Sequence, residues 1–197
     1  MSDDARTLVP PPMAWNAWGD PEAAKPPLSD GIKALLEQAL GVTASEIPPA
    51  PSIDEVEVRP SALPDAHRDA LAEFVGGAEH VRTDDRGRLL YAGGKSTLDL
   101  LRRKQTHQDA PDAVLLPGTE DEIATVLRYC STHGIAVVPF GGGTSVVGGL
   151  DPIRGDFAAV IALDLRRLNA LHSLDETSMQ AELGAGGNRA GRRATAR

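Results

Sequence analysis

"VVPFGGGTSVVGG", residues 137–149, joins a short apolar run to five glycines within nine positions, 141–149. Gly141, Gly142, Gly143, Gly148 and Gly149 bring little apolar surface to a core and considerable backbone freedom. Relative to alanine, each adds unfolded-state entropy of about 0.4–1 kcal/mol at a compatible site, so five destabilise the fold by about 2–5 kcal/mol. A loss of that size needs an offset. A bound ligand is one candidate, and a tight glycine corner without a ligand is the other.

The flanks of the loop define its setting. "AVLL" (113–116) is a short apolar run ending at the Pro117-Gly118 turn, as expected of a buried strand. Thr119 then stands as an N-cap, and Glu122 three residues on predicts a capping box. Ile123, Val126, Leu127 and Cys130 follow at helical spacing, and Gly134 ends the helix. "IAVVPF" (135–140) reads as a second buried strand. Strand, helix and strand make a βαβ unit with an expected right-handed crossover. The loop therefore leaves the carboxyl end of a strand, where open α/β folds bind ligands. Cys130 falls on the apolar stripe and reads as a core residue.

Spacing separates the possible glycine loops. A Walker loop needs G-x-x-x-x-G-K-[ST]; Gly94-Lys95-Ser96 has Leu89 where the first glycine belongs, so Lys95 and Ser96 read as the start of a helix. A dinucleotide loop needs G-x-G-x-x-G followed by a helix, but counting from Gly141 the third glycine falls at Val146, and "VVGGLDPIRGDF" cannot continue helically. What remains is a loop whose consecutive backbone N–H groups can converge on an anion, with no Cβ to block approach. Thr144 and Ser145 add hydroxyl donors. Charge-assisted hydrogen bonds contribute about 1.5–3 kcal/mol each, so two or three offset the glycine penalty. A pyrophosphate, with several oxygens close together, suits this geometry.

The rest of the 197-residue chain bounds the answer. Its net charge of −8 argues against a nucleic-acid or anionic-membrane partner. Cys130 is the single cysteine, which excludes an intrachain disulfide and a cysteine metal cluster. No apolar run approaches the length of a membrane span and "MSDDARTLVPPP" has no signal core, so a cytoplasmic setting is expected. Eleven of the 15 prolines fall in residues 1–64, marking a Pro-rich extension. Trp15 and Trp18 within it suit either docking onto the body or capture of a partner. "SDGIKALLEQALG" predicts a helix with Ile32, Leu35, Leu36 and Leu40 on one stripe and Gly41 as its stop. "LPDAHRDALAEFVGG" predicts another, with Leu71, Phe74 and Val75 inward, and "STLDLLRRKQ" a third. "AAVIALDL", "LNALHSLDE" and "SMQAELGAG" read as three further strands. The expected class is α/β, α+β overall. Residues 1–60 form a Pro-rich extension with a short helix, 61–110 a helical segment, 111–186 the ligand-binding domain and 187–197 a basic tail.

"PDAVLLPGTEDEIATVLRYCSTHGIAVVPFGGGTSVVGGL" (111–150) resembles the first part of the FAD-binding domain of the vanillyl-alcohol-oxidase type, the PCMH-type fold, and the likeness runs over about residues 90–186. "WNAWGD" (15–20) and "GKSTLDLLRRK" (94–104) are similar to the alkyldihydroxyacetonephosphate synthase-like branch of that family. The resemblance implies that Pro139, Phe140, Gly141, Gly142, Gly143, Thr144 and Ser145 contact FAD around its pyrophosphate. It also implies non-covalent binding, because the loop lacks the histidine or cysteine that tethers flavin in some members. His133 is better explained as a helix-end residue. Enzymes of this branch use FAD to exchange an acyl chain for a fatty alcohol in ether-lipid synthesis, without net redox change.

"GNRAGRRATAR" (187–197) departs from the family's pattern, with four arginines, no acid and no large apolar residue. A reading-frame slip near Gly187 or a genuine short tail would each produce it. The expectation is a first half of a PCMH-type domain, inactive alone, with lipid or 2-hydroxy-acid substrate bound only in an intact parent. No catalytic or metal-ligating residue is expected within it. A FAD-dependent 2-hydroxy-acid dehydrogenase fragment is the alternative in chemistry. A non-enzymatic anion- or partner-binding module is the alternative in class.

Overall fold

The structure, a computed structural model, describes residues 13–19, 27–43 and 50–186. The remaining parts of the Pro-rich extension and the basic tail 187–197 lie outside the described residues.

The chain folds around a mixed four-stranded sheet. Strands β4 (Ala113–Leu115), β5 (Ile135–Phe140) and β6 (Ala159–Asp164) run parallel, and β2 (Val81–Arg82) pairs antiparallel with β4. Helix α5 (Glu120–His133) connects β4 to β5. The strand order is β2-β4-β6-β5, so the two strands of the βαβ unit are not neighbours. β6 lies between them and pairs with both.

Alternation along β6 divides the core into two faces. Ala159, Ile161 and Leu163 pack with Ala113, Leu115, Val126 and Cys130, beneath α5 and beneath α2 (Asp65–Phe74). Ala162 instead joins Val114, Tyr91, Phe140 and Leu150 on the opposite face. Period-2 alternation therefore places Asp164, at the end of β6, on the same face as Ala162 and Phe140. All six residues of β6 are buried, as a strand covered on both sides must be.

Local chemistry accounts for the helix ends. The Thr119 hydroxyl accepts from the Glu122 N–H at 3.2 Å, and three acids occupy the first turn of α5. The expected capping box is only half formed: the Glu122 carboxylate accepts from the Gly118 N–H at 2.6 Å instead of closing back on Thr119. Gly134 takes the left-handed conformation at φ 63°, its N–H donating to the Cys130 carbonyl. Leu127, expected on the inner stripe, is exposed, and Tyr129 packs against the core instead. In α2, Leu71 is fully buried, as is Val75 just beyond it, while Phe74 is partly buried.

Helix α4 (Thr97–Arg102) begins as expected at Ser96, whose hydroxyl and the Asp99 carboxylate form a complete capping box. A five-residue helix, α3 (Asp85–Leu89), was not readable from periodicity; Asp84 caps it. Within it the Arg88 guanidinium, wholly buried, donates to the carbonyls of Pro111 and Arg59 at 2.7 Å each. Segment 61–110 thus carries helices together with β2, an edge of the main sheet. Helix α1 (Asp30–Leu40) forms with Ser29 and Gly41 at its ends, but buries none of its residues. Strands β1 (Glu57–Val58) and β3 (His107–Gln108) pair with each other, and β7 (Leu171–Asp175) and β8 (Gln180–Leu183) form a separate hairpin.

Candidate functional site

β5 and β6 end together, with Phe140 and Asp164 as register partners. A cleft of about 240 Å³ opens at that edge, lined by Phe140, Gly141, Gly142, Gly143 and Thr144 on one side. Met13, Leu90, Tyr91, Gly93, Lys95 and Arg166 line the rest. Of the seven residues expected at a ligand, five line this cleft. Pro139 lies exposed on β5, an edge strand, where its missing N–H breaks no ladder bond. Ser145 does not line the cleft, but its carbonyl accepts from the N–H of Lys95, which does, at 2.7 Å. A Cβ on Gly94 would collide with that same oxygen, so "GGK" is a packing motif that braces the glycine loop.

The glycines of the loop differ in what they do. Gly143 has φ +69°, and a Cβ there would stand 2.8 Å from the Phe140 ring, so the fold itself requires this glycine. Gly141 and Gly142 have no such requirement. Neither has a left-handed φ. A Cβ on Gly141 would meet nothing within 4 Å, and one on Gly142 only a Thr144 methyl at 3.9 Å. Among the described residues, the N–H groups of Gly141, Gly142, Gly143 and Thr144 donate to no protein acceptor. Consecutive unused donors beside uncovered Cα atoms are groups that can receive an anion.

The opposite wall holds a hydrogen-bonded triad. The Tyr91 hydroxyl donates to Asp164 Oδ2 at 2.5 Å, and Arg166 donates to Asp164 through Nε at 2.8 Å and Nη2 at 2.5 Å. Arg166 also donates to the Tyr91 hydroxyl. Burial, and then the Asp164 charge, push the Tyr91 phenol well above its ordinary range. Burial opposes the charge on Arg166, yet its bonds to Asp164 prevail and hold it above its ordinary value. Arg166 thus stays cationic in the cleft wall. Its Nη1 has no hydrogen-bond acceptor among the described residues. The Tyr91 and Phe140 rings, 4.5 Å apart, tie this wall to the loop.

None of these wall residues was singled out from sequence as a ligand contact. The pair Gly93-Gly94 was a signal of close backbone approach, but nothing local links Tyr91 to Asp164, 73 residues away. Cys130 lies on the other face of the sheet, where burial pushes its thiol up to about 11. It is an inert core group. Among the described residues, no cluster of side chains is arranged to hold a metal.

A glycine loop with unused backbone donors thus lies at the carboxyl edge of parallel strands, where open α/β domains take their ligands. Comparison with known proteins gives the family of the chain. A family profile described as "FAD binding domain" matches residues 111–190. Protein Rv2250A of Mycobacterium tuberculosis is 63% identical over 111 residues, covering 55% of this chain and 71% of that protein. Alkyldihydroxyacetonephosphate synthase of Trypanosoma brucei brucei is 30% identical over 187 residues, 84% of this chain but 30% of the synthase. Glycolate oxidase subunit GlcD of Bacillus subtilis is 31% identical over 112 residues, 57% of this chain and 21% of that protein. A solved alkyldihydroxyacetonephosphate synthase superposes with a TM-score of 0.75 at 22% identity, over 94% of this chain and 38% of that one, which establishes the shared fold. The chain belongs to the PCMH-type FAD-binding family, among its alkyldihydroxyacetonephosphate synthase-like members, and FAD is its cofactor. It spans about a third of the synthases it matches. Among the described residues, no helix is long and apolar enough to cross a membrane.

Proposed function

We propose that Gly141–Thr144 hold the pyrophosphate of FAD through their backbone N–H groups, with the Arg166 Nη1 as a charged donor from the facing wall. Phe140 braces the loop from beneath, while Pro139 and Ser145 support it without touching the cofactor. One observation carries this reading: Gly141 and Gly142 keep space free that nothing in the protein requires. FAD, when bound, would supply the redox-active ring on which this family's chemistry depends. The residues here bind and orient its phosphates without a covalent tether, and no catalytic group is assigned among them. A single cysteine, kept as a buried thiol, suits the cytoplasm.

We place the chain as the FAD-binding part of an enzyme that exchanges an acyl chain for a fatty alcohol in ether-lipid synthesis. The synthase alignment takes in 84% of this chain, well beyond the FAD-binding domain alone, whereas the glycolate oxidase alignment takes in 57%. That difference favours alkyl transfer over oxidation of a 2-hydroxy acid.

Gly142→Val tests the cofactor reading. A Cβ at Gly142 would meet only a Thr144 methyl at 3.9 Å and the backbone there is not left-handed, so the variant should fold, with a melting temperature near the native one. Its isopropyl group would occupy the anion cradle, and FAD affinity measured by flavin fluorescence should fall at least about a hundredfold with loss of two charge-assisted bonds. A folded variant with native FAD affinity would rule out this loop as the pyrophosphate site.

A further inference from the structure

Residues 13–19 lie against the body of the domain, and main-chain atoms hold them there. The Ala14 N–H closes a turn onto the Gly19 carbonyl at 2.8 Å. Lys95 Nζ donates to the Ala14 carbonyl and, at 3.1 Å, to that of Trp15. Arg103 donates through Nη1 to the Trp15 carbonyl and through Nη2 to Gly93 at 2.9 Å. The tryptophan rings do little of this work: Trp15 is half-buried and Trp18 is 50% exposed. Docking of the arm is thus a polar latch across some eighty residues of sequence.

The two latch cations are unusual for an acidic protein. Lys95 is 6% exposed and Arg103 3% exposed, and both donate to carbonyl groups. Burying a charge carries a desolvation penalty, which at Arg103 the nearby Asp99 and Asp151 carboxylates partly offset. A cation in this place has a second use. Lys95 and Met13 both line the cleft beside Gly141–Thr144. A bound anion would be attracted by the same ammonium that holds the arm, and the docked arm would keep water from both.

We propose that residues 13–19 form a wall of the cofactor site, and that Lys95 and Arg103 are positioning residues coupling arm docking to cofactor binding. The coupling rests on the assignment of FAD to this cleft; the latch does not. Binding of FAD tightens the latch by adding negative charge beside Lys95, and the latched arm slows FAD release.

Chymotrypsin, which cuts after large apolar residues, can read both parts in the full-length chain when the products ending at Trp15 and Trp18, both on the arm, are resolved by mass. Without flavin, loss of a charge-assisted bond in Lys95→Met should speed cleavage after Trp15 and Trp18 about tenfold, while Lys95→Arg stays near the native rate. Equal rates in all three proteins, at equal melting temperatures, would overturn the latch. With saturating FAD, native cleavage should slow a further tenfold or so, and the Lys95→Met rate should stay unchanged. If FAD binds yet leaves native arm cleavage as it was, the coupling is overturned. If the native chain binds no FAD, the cofactor assignment and the coupling both fall, and the flavin-free cleavage rates decide the latch. Should Lys95→Met melt well below the native chain, Arg103→Lys replaces it in the same assay. That change keeps the charge but not the two-carbonyl fork, so it should loosen the arm without emptying the cleft of cations. A native cleavage rate in stable Arg103→Lys would count against the latch.

Discussion

Strands β6 and β7 lie seven residues apart in sequence and both contain apolar residues, yet every residue of β6 is buried and every residue of β7 is exposed. β6 pairs on both sides and is covered above and below, whereas β7 pairs only with β8. The same contrast separates α5 from α1. Both are capped helices with an apolar stripe, but Val126 and Cys130 of α5 are buried while α1 buries nothing. Strand and helix formation are local properties, decided by caps, turns and alternation. Burial is decided by partners that the local sequence does not contain.

Substitutions can break or sharpen that contrast. The largest effect belongs to β6: Ile161→Ala, at a fully buried position facing α2 and α5, should cost about 2–5 kcal/mol in urea unfolding. A loss below 1 kcal/mol would mean that the buried side of the contrast is misplaced. A smaller, pH-dependent effect belongs to Cys130. Its folded thiol remains protonated until about pH 11, whereas the unfolded thiol ionises near its ordinary value of 9.0. Unfolding therefore releases a proton between those values, and stability should fall by up to about 1.4 kcal/mol per pH unit through that window. Cys130→Ala should lack this extra slope; identical slopes would show that the thiol is not buried as described. The smallest effect belongs to the hairpin: Leu174→Ala, half exposed on β7, should change stability by less than about 0.5 kcal/mol. A larger loss would reveal that β7 is covered in solution.

What could be read from sequence follows the same division. Thr119, Gly134 and the apolar positions between them announced α5, and Gly41 announced the end of α1, because caps act within a few residues. The order β2-β4-β6-β5 was not legible, since no local signal says that β6 inserts between the two strands of the βαβ unit. Glu122 looked like a capping-box residue, but its carboxylate accepts from the Gly118 N–H, one residue before the cap. The glycine loop was legible for the converse reason: five glycines in nine residues demand an explanation wherever they occur. Its opposing wall was not. Tyr91, Asp164 and Arg166 are ordinary residues in their own neighbourhoods and come together only because β6 carries Asp164 to the end of β5. Lys95 had been set aside with the failed Walker motif. Its backbone braces Ser145 and its side chain holds the arm, a pair of roles that no phosphate-loop consensus describes.

The central claim is that the loop holds a pyrophosphate, and halves of the cofactor test it most directly. Purified native chain and Gly142→Val would each be titrated with ADP, which carries the pyrophosphate without the flavin, and with riboflavin, which carries the flavin without it. ADP should bind the native chain and compete with FAD, should fail to bind Gly142→Val, and riboflavin should compete with neither. Riboflavin that displaces FAD while ADP does not would place the flavin ring, and not the pyrophosphate, against Gly141–Thr144.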